Sequence, residues 1–166
     1  VPRLEQLLER LWADGVEAIA PTLVTCGVEP LRQALMVLAE VRRGHRSGRC
    51  RLLGAHLEGP FLAHERRGAH PAEQLAAPSL QALEDRIGGF SGGPGWLEPA
   101  DIALVTLAPE LEGAGAVIRA LRERDVVVSL GHSAATEAQA EAAYDAGVGM
   151  LTHVLNAMPD MHRRAP

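Results

Sequence analysis

Apolar residues recur along this chain in two alternating rhythms. Leu4, Leu7, Leu8 and Leu11 repeat at helical spacing, and Gly15 follows as a stop signal. Glu17 to Val24 then reads as a strand, with Pro21 predicting an irregularity near its end. Leu31, Leu35, Leu38 and Val41 mark a second helix closed by Gly44, and strand-like Cys50 to His56 comes next. Residues 59–77 are rich in Gly, Pro, Ala and charge and predict a long loop, of the kind that usually carries function inside a compact domain. A short helix is predicted over Leu80 to Ile87. The glycine-rich stretch 88–95 reads as a connector; it lacks the Lys-Ser/Thr pair and following helix of a phosphate loop. Ile102 to Leu107, Val126 to Leu130 and Gly149 to Thr152 predict three more strands. The helices between them run near Gly113 to Arg124 and Thr136 to Asp145.

Five strands separated by helices imply an α/β fold with a parallel sheet covered on both faces. Right-handed crossovers then permit a doubly wound sheet or part of a (β/α)₈ TIM-type barrel. A complete barrel needs roughly 250 residues, so 166 residues correspond to about five consecutive βα units. Val1-Pro2-Arg3-Leu4-Glu5 has neither an initiator Met nor the layout of a signal peptide. His162-Arg163-Arg164-Ala165-Pro166 stops in loop-like sequence, so both ends read as cut and a partial barrel, lacking its first and last strands, is favoured. Neither an internal repeat nor a low-complexity linker divides the chain.

Composition narrows the partners. A hydrophobic fraction of 47% and a charged fraction of 22% are those of a globular protein. A net charge of −5 argues against nucleic acid or an anionic membrane. The 16 basic residues are all arginine, with no clustering into a stripe. At 3% aromatics, stacking platforms are not evident. No apolar run reaches the roughly 18 residues of a membrane span. Cys26 and Cys50 lack CxxC spacing and read as free thiols in a reducing cytoplasm.

The candidate chemistry lies at strand ends. Glu58, His132 and His153 each terminate an apolar run: Leu53-Gly54-Ala55-His56-Leu57-Glu58, Val128-Ser129-Leu130-Gly131-His132 and Met150-Leu151-Thr152-His153. Each alone could be structural: Glu58 a solvated loop carboxylate with His56 packed in the core, either histidine a strand-end packing residue. Together, on one parallel sheet, they emerge at the carboxyl-end face where α/β enzymes place their chemistry. One carboxylate and two neutral imidazoles are a plausible first shell for a catalytic zinc-like divalent ion, each imidazole needing a partner for its other nitrogen. No GxSxG pattern follows a predicted strand and opens a helix as a nucleophile elbow does, and neither cysteine sits where a thiolate would be activated. Glu110 and Glu112 flank a turn and suit a helix start better than a paired acid and base; Arg66-Arg67 reads as solvated loop.

Those blocks closely resemble one family, the N-acetylglucosamine-6-phosphate deacetylases of the amidohydrolase superfamily. The matching stretches are Leu53 to Phe61, Arg66-Arg67-Gly68-Ala69-His70-Pro71, Thr106 to Glu110, Gly131-His132-Ser133 and Thr152 to Pro159, with Ala20-Pro21-Thr22-Leu23 fitting an earlier strand. They occur in family order over nearly the whole chain. The resemblance implies a (β/α)₈ metal-dependent hydrolase with a small β-sandwich formed from the two chain ends. Residues 1–166 would then be the central part of the barrel domain, without its flanking strands or the sandwich.

By the same resemblance Glu58, His132 and His153 match the metal ligands. Ala69 and His70 match a substrate-contacting pair, with His70 polarising the acetamide carbonyl. Asn156 and Ala157 match positions holding the sugar phosphate, and Arg164 an arginine pairing with it, which bidentate hydrogen bonding would favour. The implied reaction hydrolyses the amide to acetate and glucosamine 6-phosphate. The family's general acid and base, an aspartate on a late strand, is not contained in this sequence, so the fragment by itself is expected to be inactive. A cytoplasmic homodimer is expected of the whole protein, and the number and identity of metal ions stay open. Two alternatives stand beside this: deacetylation of N-acetylgalactosamine 6-phosphate, and a non-catalytic remnant that binds metal or a partner.

Overall fold

A computed structural model describes residues 1–89 and 97–159. The predicted connector over 88–95 falls mostly outside them, as does Arg164. Helix α1, Pro2–Ala13, leads to β1, Ala18–Ile19, and β2, Thr22–Val24; α2, Val28–Arg43, leads to β3, Arg51–Leu52, and β4, Ala55–Glu58. After the loop come α3, Leu80–Ile87, β5, Ile102–Leu107, α4, Ala114–Arg122, β6, Val127–Leu130, α5, Glu137–Asp145, and β7, Met150–Leu151.

Five strands form one parallel sheet in the order β2-β4-β5-β6-β7. Consecutive βα units laid side by side in this way form part of a (β/α)₈ barrel, and among the described residues the sheet does not close. Two of the predicted strands are each divided. Ala20-Pro21 separates β1 from β2, as expected of a proline that cannot donate to the ladder. Leu53-Gly54 separates β3 from β4, and β1 pairs with β3 as a separate two-stranded ribbon. The long loop is real but contains two 3₁₀ turns, His64–Arg66 and Ala72–Gln74.

The sheet has two chemically different faces. Ala55 and Leu57 of β4, Val105 and Leu107 of β5, and Val128 and Leu130 of β6 are buried in the main apolar core beneath the helices. Helix α4 contributes Ala114, Val117, Ile118 and Leu121, a spacing of three and four that puts all four on one stripe. Each large aliphatic side chain so buried contributes about 1.5–3 kcal/mol. A second cluster of Leu8, Val41, Cys50 and Leu52 seats α1 against the two-stranded ribbon.

The other face of the sheet is polar. In register across it lie Thr22 and His56, then Glu58, Thr106 and Ser129. Thr22, His56, Thr106 and Ser129, with Thr152, form a belt: Thr22 Oγ1 to His56 Nδ1 at 2.9 Å, His56 Nε2 to Thr106 Oγ1 at 2.8 Å, Thr106 Oγ1 to Thr152 Oγ1 at 2.8 Å, and Thr152 Oγ1 to Ser129 Oγ at 2.7 Å. His56 is therefore a core histidine with both ring nitrogens engaged, and burial holds its pKa below the ordinary value.

Candidate metal centre

Above that belt, at the carboxyl ends of β4, β6 and β7, Glu58, His132 and His153 meet. Glu58 is the last residue of β4; His132 and His153 follow the ends of β6 and β7 by two residues each. Both histidines adopt left-handed backbone, with φ of 50° and 56°, conformations uncommon for residues other than glycine. Gly131, just before His132, lies tight against its neighbours: a Cβ there would lie 2.8 Å from Thr106 Cγ2 and from Thr152 Cβ, so the chain passes too close for any other residue.

Glu58 Oε1 lies 3.1 Å from His132 Nε2 and 2.8 Å from His153 Nε2. The potential ligand atoms of the three all lie within 4.8 Å of one another. His132 Nδ1 is 2.8 Å from the carbonyl oxygen of Arg66, which can only accept, so that nitrogen carries the ring proton. In the neutral ring Nε2 is then a bare lone pair aimed at a carboxylate. Such a contact calls for a cation between the two groups or a second proton on the ring, and a carboxylate with two imidazoles is a donor set that suits a divalent transition ion. The Arg66 carbonyl is the partner that a metal-binding histidine needs for its other nitrogen.

Electrostatics favour the ionised carboxylate. Burial pushes the Glu58 carboxyl up, but with a proton on each facing Nε2 the hydrogen bonds from His132 and His153 outweigh it and leave the pKa below the usual glutamate value.

The long loop completes the site. Ala63 N–H donates to the His132 carbonyl at 2.9 Å, Arg66 supplies its carbonyl to the ring, and His70 enters from the loop's far end. His70 is buried, with Nε2 3.8 Å from Glu58 Oε2 and its ring packed edge-on against His132 at 4.7 Å between centroids. Burial, and then His132 beside it, hold the His70 pKa below the ordinary value.

Glu58, His132, His153 and His70 are thus brought together. Ala69, the neighbour of His70, is exposed. Asn156 and Ala157 lie in the turn just after His153: Asn156 N–H donates to the His153 carbonyl at 2.7 Å, and the Ala157 carbonyl accepts from Ser133 N–H at 3.2 Å.

One contributor carries no signal in the sequence, and a second, Glu110, does not serve the helix start that its position suggests, α4 having no acidic residue in its first turn. Thr25 contacts His70 across 45 residues of chain. Glu110 accepts from Ser133 Oγ at 2.7 Å and from Ala134 N–H at 2.5 Å, bracing the segment after His132. That commitment answers the question of Glu110 as an acid or base: its carboxylate is spent on the loop. Thr136 caps α5, its side chain accepting from Gln139 N–H.

No protein-family model matches the chain. Individual relatives do. N-acetylglucosamine-6-phosphate deacetylase of Bos taurus is 40% identical over 158 residues, 95% of this chain. N-acetylgalactosamine-6-phosphate deacetylase of Escherichia coli O157:H7 is 37% identical over 164 residues, 98% of this chain. The chain spans 36% and 41% of their respective lengths. The crystal structure of N-acetyl-D-glucosamine-6-phosphate deacetylase from Mycobacterium smegmatis superposes with a TM-score of 0.81 at 34% identity, covering 98% of this chain and 39% of that one. A mutant of that enzyme in complex with N-acetyl-D-glucosamine-6-phosphate matches with a TM-score of 0.76 at 35% identity, over 90% of this chain and 36% of that one. Over nearly its whole length, in sequence and in fold, this chain is homologous to a segment of the N-acetylglucosamine-6-phosphate deacetylase family.

Proposed function

We propose that this chain is the central part of a metal-dependent deacetylase barrel that converts N-acetylglucosamine 6-phosphate to glucosamine 6-phosphate and acetate. The observation that carries the reading is the convergence of Glu58, His132 and His153 on one point at the carboxyl ends of the sheet. A divalent, zinc-like ion held by these three would polarise the amide carbonyl and make water a nucleophile near neutral pH.

The chain's own residues then do the following. Glu58 stays ionised, and His132, with Nδ1 committed to the Arg66 carbonyl, keeps Nε2 directed inward. His70 faces the same space and is placed to hydrogen-bond the acetamide oxygen as negative charge grows on it. Ala69 flanks it on the substrate side. Asn156 and Ala157, in the turn after His153, and Arg164 are assigned to the sugar phosphate. The departing amine needs a proton. Asp101 is not its source, because its carboxylate is buried against Arg42 and Arg43; the donor is assigned to an aspartate outside this sequence.

The same proposal makes the whole protein a cytoplasmic homodimer. Cys26 and Cys50 are free, and no described helix is long and apolar enough to cross a membrane. The 37% identity to a deacetylase of the galactosamine epimer favours a second reading in which that sugar is the substrate. The deciding experiment is acetate release by the full-length protein from both 6-phosphates. A higher kcat/KM for the glucosamine epimer supports the first reading and the reverse supports the second. Release from neither would mean a non-catalytic protein.

A further inference from the structure

Thr25 directly follows β2 and is buried against His70, with exposures of 5% and 7%. Two of its atoms face one ring nitrogen. The Thr25 main-chain N–H points at His70 Nδ1 from 3.4 Å, and Thr25 Oγ1 lies 2.8 Å from the same nitrogen. An amide nitrogen can only donate, so the nitrogen it points at bears a lone pair. The opposite side of the ring agrees: Nε2 is 3.8 Å from Glu58 Oε2, an oxygen that a ring N–H meets favourably and a bare nitrogen does not.

The Thr25 hydroxyl has one proton and two acceptors in reach, Nδ1 and the Glu58 carbonyl oxygen at 3.2 Å. The ring contact is the shorter, and an oxygen lone pair directed at a bare Nδ1 over that distance would be repulsive. Thr25 can sit there only because residue 59 is glycine. A Cβ on Gly59 would collide with Thr25 Oγ1, and its φ of 89° is one that other residues rarely adopt.

We propose that Thr25 is a positioning residue that holds His70 in the tautomer with its proton on Nε2, so that a hydrogen-bond donor faces the Glu58–His132–His153 cluster. This rests on the reading of His70 as the group that polarises the acetamide carbonyl, because only a protonated Nε2 has a hydrogen to offer the developing oxyanion. In the other tautomer the ring would present a lone pair to that oxygen.

Nitrogen-15 NMR of histidine-labelled, zinc-loaded full-length protein reads the proton directly, since bare and protonated ring nitrogens resonate far apart. The His70→Asn variant identifies the His70 signals. The expected result is a protonated Nε2 in the parent and in Thr25→Ser, and a mixture of tautomers in Thr25→Val. A proton on Nδ1 in the parent overturns the proposal, whether or not Thr25→Val folds.

In turnover, Thr25→Val is expected to lose kcat by roughly tenfold. KM and bound zinc should stay within about twofold, and Thr25→Ser should recover the rate through the retained hydroxyl. Equal loss in both variants, or loss of zinc, would make Thr25 merely structural. If the parent deacetylates neither amino-sugar phosphate, the functional reading fails, while the NMR result still decides the tautomer.

Discussion

At Glu58 one carboxylate is faced by His132, His153 and, at 3.8 Å, His70. Unlike an exposed ion pair, this arrangement leaves Glu58 with little solvent to screen it, since only 7% of its surface is accessible. Exchanging the carboxylate for an amide removes the negative charge that gathers a cation and leaves the imidazoles without a counter-charge. Glu58→Gln in the full-length protein is therefore expected to lose bound metal and at least about 100-fold in kcat. Metal analysis by mass spectrometry alongside acetate release checks this. Normal metal content with normal turnover would remove Glu58 from the site.

The elements are tied together below the site by the belt from Thr22 through His56, Thr106 and Thr152 to Ser129. It crosses β2, β4, β5 and β6 and reaches Thr152 just after β7, beside the three strand ends that carry the candidate ligands. Thr106 is fully buried and bonded to both His56 and Thr152, so Thr106→Val keeps the shape and takes one hydrogen bond from buried His56 and one from half-buried Thr152. The expected cost is about 1–3 kcal/mol, measured by urea unfolding. His56 adds a pH dependence. Its pKa is lowered in the folded protein, so below about pH 6.5 the unfolded chain takes up a proton that the folded one resists. Stability is thus full above that pH and declines as pH falls toward the folded value. The urea midpoint of the parent is expected to drop more between about pH 7.5 and 5.5 than that of His56→Asn. Parallel curves would show that the buried imidazole is not the titrating group.

On the scale of the whole molecule, β2 and β7 are the edges of the parallel sheet among the described residues. Parallel sheets are normally covered and barrels have no edges, so exposed edges invite pairing with other chains. Beside β7 lies an apolar groove of about 680 Å³ bordered by Leu130, Ala140, Tyr144, Leu151, Val154 and Met158. Val24 on the opposite edge is 57% exposed and Leu155 73%. A polypeptide of these 166 residues expressed alone is expected to self-associate or stay partly unfolded, as followed by light scattering and thermal unfolding. A soluble monomer with a sharp, reversible melt would show that the five-stranded unit is stable without closure.

Which parts of this were legible in the chain itself follows from the range of the interactions. Helical spacing of leucines and strand runs of Val, Leu and Ile are local signals. They predicted the alternating elements, the parallel sheet and the three strand-end groups, because alternation and chain direction alone decide which face and which end a side chain occupies. The breaks at Ala20-Pro21 and Leu53-Gly54 were harder to place, since their outcome depends on which neighbouring strand each half pairs with. Only the tertiary structure could decide that Arg66 lends a carbonyl to His132 across 66 residues, that Glu110 braces Ser133, and that Thr25 meets His70. A hydroxyl or a main-chain carbonyl carries no pattern of its own in a sequence. Its role exists only when folding brings it within about 3 Å of a partner whose remaining proton it then directs.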